Sequence, residues 1–227
     1  MARTPGRDAR GLLTAGVLLA LTAAVGCKRE IPVGPGPAVT GYEIQGRVVD
    51  QLSNPVPFVE IRLSYSYDFL DSNPAPSKSY TVTDSTAQTT AAVYSLDNGL
   101  VKVLFQGRRP VGLFTATWDS TDANGNIVPS GIYRITYLVN NVVEYYYYMV
   151  IDGTKVAATD AQGEFTILPS RLPIGFNPIA VYQNDTYQGD YQIDNYVALD
   201  FLVHGSVIER DVQVAENEVT EVNLMVQ

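Results

Sequence analysis

The sequence predicts an all-β protein made of two antiparallel β-sandwich modules that follow a signal peptide and a tether. Three observations predict it. Tyr is abundant at 15 residues, and Val, Thr and Ile are frequent, as pleated strands prefer. No segment after residue 41 holds a sustained 3.6-residue apolar period, so no amphipathic helix is expected. Short apolar–polar alternations recur instead, each bounded by Gly, Asp, Asn or Pro.

The chain opens on MARTPGRDAR, with Arg3, Arg7 and Arg10 against Asp8, and continues into GLLTAGVLLALTAAVG (11–26). A positive head, an apolar run of this length and a small-residue exit predict a secretory signal over residues 1–26. The run is too short for a spanning helix of about 20 residues. Its end, AVGC (24–27), resembles the lipobox of bacterial lipoproteins, with Ala24 in place of the more common Leu. That resemblance implies acylation of Cys27, which would become the mature N-terminus and anchor the protein in a membrane. Buried acyl chains contribute roughly 0.8 kcal/mol per methylene. Cys27 is the only Cys, so no disulfide is expected and the core alone must hold the fold. Lys28 in place of an Asp favours the outer membrane or cell surface as destination.

Cleavage before Cys27 would leave about 200 residues carrying 12 basic and 23 acidic side chains, a net charge near −11. So acidic a surface argues against nucleic acid, which demands Lys/Arg patches, and against charge-driven binding to anionic lipid. KREIPVGPGPAVTG (28–41) is rich in Pro and Gly and aperiodic, a semi-extended tether after the lipidated Cys.

The strands then follow in order. YEIQGRVVD (42–50) and PFVEIRLSY (57–65) flank the turn QLSNPVP, and DSNPAPSKS (71–79) breaks the pattern. SYTVTD, TTAAVYSL, GLVKVLFQ and GLFTATW come next. GIYRITYLV (131–139) and VVEYYYYMVI (142–151) read as a hairpin turning at Asn140-Asn141, where positive φ is tolerated. KVAAT, GEFTIL, PIAVYQ, NYVALDFLV, SVIERDVQV and EVTEVNLMV complete the set, while NDTYQGDYQIDNY (184–196) reads as a long polar loop.

Residues 89–151 resemble the immunoglobulin-like domain of the flagellar hook-capping protein FlgD, a module reused in many secreted bacterial proteins. The resemblance rests on AAVYSLDNGLVKVLF (91–105) and above all on WDSTDANGNIVPSGIYRITY (118–137). Trp118, Asp119, Asp122, Gly125, Val128, Pro129, Ser130, Gly131 and Tyr133 match its pattern; Ser120 and Thr121 stand where members often have Gly. A second resemblance brackets the first. IQGRVVDQLSNPVPFVEIRL (44–63), ATDAQGEFTI (158–167) and VQVAENEVTEVNLMV (212–226) resemble pieces of a carboxypeptidase-regulatory-like domain, a prealbumin-like sandwich. Together they imply an immunoglobulin-like module over 78–152, inserted between sandwich halves at 42–77 and 153–227; a tandem arrangement is the alternative. Neither family implies catalysis or a cofactor.

WDSTDANGNIVPSGIYRI (118–135) also invites a calcium reading. With Gly125 at position 6 of an EF-hand loop, positions 1 and 12 fall on Ser120 and Gly131, where an acid and a bidentate Glu are needed. A non-EF site on Asp119, Asp122 and Asn124 remains as an alternative. The residues are accounted for better as a structural turn, with Trp118 ending a strand against the core. Asp119 and Asp122 would cap loop N–H groups, Gly125 would supply positive φ, and Pro129 and Gly131 would lead into Tyr133. No metal is expected. A Ser/His/Asp triad would need His204, the only His, read as a strand residue beside a Gly-Ser turn; no Gly-x-Ser-x-Gly elbow is present. No His/Cys cluster suits zinc. No enzymatic activity is expected.

In a strand, Tyr145 and Tyr147 face one side and Tyr146 and Tyr148 the other. One pair can fill a core. The other then covers the enclosing domain, meets a protein partner or stacks on a glycan. The expected function is a structural or protein-interaction module of the cell envelope, with an envelope protein as partner. The alternative is binding of extracellular polysaccharide through Tyr145–Tyr148 and the 184–196 segment.

Overall fold

The computed structural model describes residues 41–176, 178–183 and 186–227. The signal peptide, Cys27, the tether up to residue 40, and Asn184 and Asp185 lie outside the described residues. The described chain is all-β, with a single 3-10 turn at Pro169–Arg171.

Strands β1 (Glu43–Asp50) and β2 (Glu60–Asp71) come first. The segment that follows them folds on itself. Here β3 (Ser79–Val82) pairs with β6 (Gly112–Thr115), and β4 (Thr89–Ser95), β5 (Leu100–Gly107), β7 (Gly131–Val139) and β8 (Val142–Ile151) form a sheet in the order β5-β4-β7-β8. The remaining strands are β9 (Thr154–Ala158), β10 (Glu164–Ile167), β11 (Ile179–Gln183), β12 (Thr186–Val203), β13 (Ser206–Gln213) and β14 (Val219–Val226). These return to the first two: β10-β1-β14 make one sheet and β11-β12-β2-β9 another, with β13 also on β12.

Two cores result. In the outer sandwich, alternate residues of both sheets interlock. Ile44 and Val48 of β1, Ile61 and Leu63 of β2, and Leu199 and Phe201 of β12 are fully buried, with Phe165 set edge-to-face on Phe201 at 5.6 Å. In the inner sandwich, Val82 and Phe114 of the two-stranded ribbon cover Ala91, Val93, Tyr133, Ile135 and Tyr137. The opposite face of β7 carries Ile132, which belongs to the outer core.

Turn chemistry follows residue type. Asn140 and Asn141 (φ 49° and 66°) make the two-residue β7–β8 turn, and His204-Gly205 (φ 49° and 84°) make the β12–β13 turn. Two positive φ values match the twist of the flanking strands. Gly163 (φ 73°) is required sterically as well: a Cβ there would lie 2.4 Å from Val48 O.

Two expectations are corrected, and one strand pair departs from the otherwise antiparallel pairing. The segment 184–196 is not a long loop, because Thr186–Tyr196 extends β12 between β11 and the distal half of β2. A shift in register between Ile193 and Val197 marks where β12 exchanges β11 for β13 as neighbour, which lets one strand turn a corner. The sandwich is not wholly antiparallel: β14 runs parallel to β1 over eight residue pairs. It arrives by a crossover from β13 in the other sheet, as a parallel neighbour must. His204 occupies a turn rather than a strand.

Candidate functional site

The turn singled out in the sequence is built from side-chain caps. Asp122 Oδ1 accepts the N–H groups of Asn124 (2.8 Å) and Asn126 (2.9 Å), and its Oδ2 accepts Asn126 Nδ2 (3.2 Å). These bonds, led by the Asn126 amide, hold its carboxyl below the usual carboxylate range. Asp119 accepts Lys102 Nζ at 2.8 Å and Thr121 Oγ1 at 2.7 Å. The Lys102 ammonium, foremost, draws its carboxyl well down. A cation is thus already on Asp119, and it is a side chain. Among the described residues no group of three or more His, Cys, Asp or Glu is placed to hold a metal ion. Trp118 lies three residues beyond the end of β6 rather than on a strand; the ribbon ends at Thr115 because its pairing with Ser79 ends there. Its ring meets Tyr133 at 5.1 Å and its Nε1–H donates to Thr121 O.

The second half of the motif does something that spacing did not reveal: it fastens one sandwich to the other. The buried Ser130 hydroxyl donates to Leu63 O of β2 (2.7 Å) and accepts the N–H of Thr154 in β9 (2.8 Å). Thr154 Oγ1 returns a bond to Val128 O (2.8 Å). Tyr133 Oη donates to Pro129 O (2.7 Å) and accepts Arg171 Nη1 (3.2 Å), while Tyr65 Oη donates to Arg171 O (2.7 Å). Gly131 begins β7 directly after this knot.

The tyrosine run divides by face. Tyr145 and Tyr147 pack against the inner core, and Tyr145 Oη also donates to Ser77 O. On the other face Tyr148 packs against the outer core, its ring edge-to-face with Phe176 at 4.9 Å. Tyr146 is exposed beside it, near the Arg134 guanidinium. The second pair is therefore split, with Tyr148 on the enclosing sandwich and Tyr146 open.

At that junction lies a groove of about 710 Å3. Tyr148 and Asp152 form its inner-module side, Tyr67, Gln188 and Tyr191 its outer-sandwich side, and Lys78 also lines it. Asp152 Oδ1 accepts the N–H groups of Tyr65 (2.9 Å) and Gly153 (3.0 Å), and Oδ2 accepts Tyr67 Oη (3.1 Å). Desolvation raises the Asp152 carboxyl above the usual range and pushes the Tyr67 phenol far up, so Tyr67 stays protonated. Tyr67 and Tyr191 stand edge-to-face at 6.4 Å, and Tyr191 does the same with Phe69 at 5.2 Å. Of these residues the sequence marks Tyr148, and Gln188 and Tyr191 only as members of the 184–196 segment. Tyr67, Asp152 and Lys78 carried no signal, since only the fold, with β11 beside β8 and β2 beside Asp152, assembles them.

The FlgD Ig-like domain family matches residues 68–141. The match begins on β2 and ends at the Asn140-Asn141 turn, so β8 and its tyrosines lie outside it. No curated protein and no solved structure matches the chain. The matched class is a structural or protein-interaction module and is not typically catalytic.

Proposed function

We propose that this is a non-catalytic, exported lipoprotein, anchored through Cys27 at the outer membrane or cell surface, that presents its paired sandwiches to a protein partner in an envelope assembly. The match of residues 68–141 to the FlgD Ig-like domain carries this reading. The arrangement of strands supports a further part of it. The flanking strands β1 and β2 share their two sheets with β9 to β14, as a carboxypeptidase-regulatory-like sandwich with a module inserted in one loop would require. Insertion at a loop is tolerated where the ends of the inserted module lie close together. A knot of buried hydrogen bonds such as that at Ser130 suits a part that holds one orientation while force or a partner acts on it.

The test is a cross-linked pull-down of the native, membrane-anchored protein, with bound protein and carbohydrate measured separately. One dominant protein at near-equal amount is expected. Recovery of no stoichiometric protein would overturn the reading.

A further inference from the structure

We propose that the groove between β8 and the distal halves of β2 and β12 is a binding site for a neutral oligosaccharide. The inference goes beyond the protein-partner reading and stands or falls separately from it. It begins from convergence: Tyr148 comes from the tyrosine run, Gln188 and Tyr191 from the Tyr/Asp-rich segment, and the fold brings them to one groove with Tyr67 and Asp152.

The rings provide faces. Edge-to-face contacts of Tyr148 with Phe176, and of Tyr191 with Tyr67 and Phe69, fix the ring planes before any ligand arrives. Pre-set aromatic faces lower the ordering cost of binding and suit the C–H faces of pyranose rings. The polar groups match hydroxyls, each of which both donates and accepts. A carboxylate offers about four acceptor positions. Asp152 uses two on Oδ1 and one on Oδ2, which leaves one for a ligand O–H. The Tyr67 hydroxyl donates to Asp152 and keeps acceptor lone pairs. Gln188 spends an Nε2 hydrogen on Thr186 O (3.0 Å) and keeps its amide oxygen. Charge narrows the class further. Lys78 and Asp152 are the charged residues lining the groove and they offset one another, which disfavours both polyanions and cations. The volume lies in the range of small-ligand sites, about 300–1,000 Å3.

The experiment is calorimetric titration of the full chain in detergent with cellohexaose, maltohexaose and laminarihexaose, and with a library of extended decapeptides. At least one oligosaccharide is expected to give a saturable isotherm. Tyr191→Ala should weaken it at least tenfold, and Gln188→Ala, at an exposed position that does not threaten folding, about threefold. Val207→Ala, at an exposed position on β13 outside the groove lining, should leave the isotherm unchanged. The proposal is overturned if no oligosaccharide binds at millimolar concentration, or if binding survives both groove substitutions. Peptide binding without saccharide binding would overturn it too, and would make the groove a peptide site.

Discussion

Asp50, Asp122 and Asp160 close three turns in one way. In each the Asp Oδ1 accepts the amides two and four residues on, at 2.8 to 2.9 Å. The Asp N–H donates to the carbonyl four residues on, and the third residue after the Asp has positive φ: Ser53, Gly125 and Gly163. The device occurs in both sandwiches, which accounts for why the Asp/Asn/Gly density at 118–126 mimics a calcium loop: the same residue types satisfy backbone donors. For Asp50 and Asp122 the folded carboxyl lies below its ordinary value, through the Asn54 side chain and the Asn126 amide respectively. A depressed folded pKa contributes stability above the unfolded value of about 3.9, and that stability is lost as pH falls through the folded value. Asp122→Ala should therefore lower the melting temperature by a few degrees at pH 7. The gap to the parent should narrow steadily from pH 5 to pH 2, as followed by circular dichroism. A gap independent of pH would mean that the carboxylate charge is not what closes the turn.

The start of β7 joins the turn to the fold. Ser130 Oγ is buried, and Ser130→Ala leaves Thr154 N without its acceptor, while Leu63 O keeps only the Gly153 N–H. Unsatisfied buried groups cost about 1–3 kcal/mol each. The prediction is a loss of about 1–3 kcal/mol in urea unfolding, with hydrogen exchange at Thr154 accelerated more than at Ile135 in mid-strand. Equal acceleration at both amides would place the damage in β7 itself rather than in its fastening. At this scale the sequence was readable where period and turn chemistry agreed. Strands β7 and β8 fall on 131–139 and 142–151, as the alternation around Asn140-Asn141 indicates. It was unreadable at 186–196, because polar residues occupy most positions there and Ile193 is the one aliphatic side chain the stretch sends into the core, too few to make an alternation. The groove was legible only in fragments: Tyr148 and Tyr191 stand out as aromatics, whereas Asp152 looks like any turn Asp until β2 lies beside it.

Across the molecule, two cores share a boundary instead of being separated by a linker. Ile132 and Leu96 arise from the inner segment yet belong to the outer core, and Tyr148 and Val150 pack on it. With no Cys among the described residues, this packing and the Ser130 knot hold the two sandwiches together. Trp118, the single Trp, lies against Tyr133 in the inner sandwich and so reports on that part alone, whereas far-ultraviolet circular dichroism reports on all strands. Ile132→Ala removes a side chain that is only 2% exposed, from the outer core, while leaving the inner core's residues in place. Such truncations cost about 2–5 kcal/mol. If the sandwiches unfold as one unit, Trp118 fluorescence and circular dichroism shift together, by the same denaturant increment. Coincident probes are the mark of a single transition. That is the expected outcome, because a boundary made of one module's side chains in the other's core gives neither an unfolded state of its own. Were the Trp118 transition to stay put while circular dichroism split in two, the inner module would be an independent passenger, and its orientation would have to come from a partner.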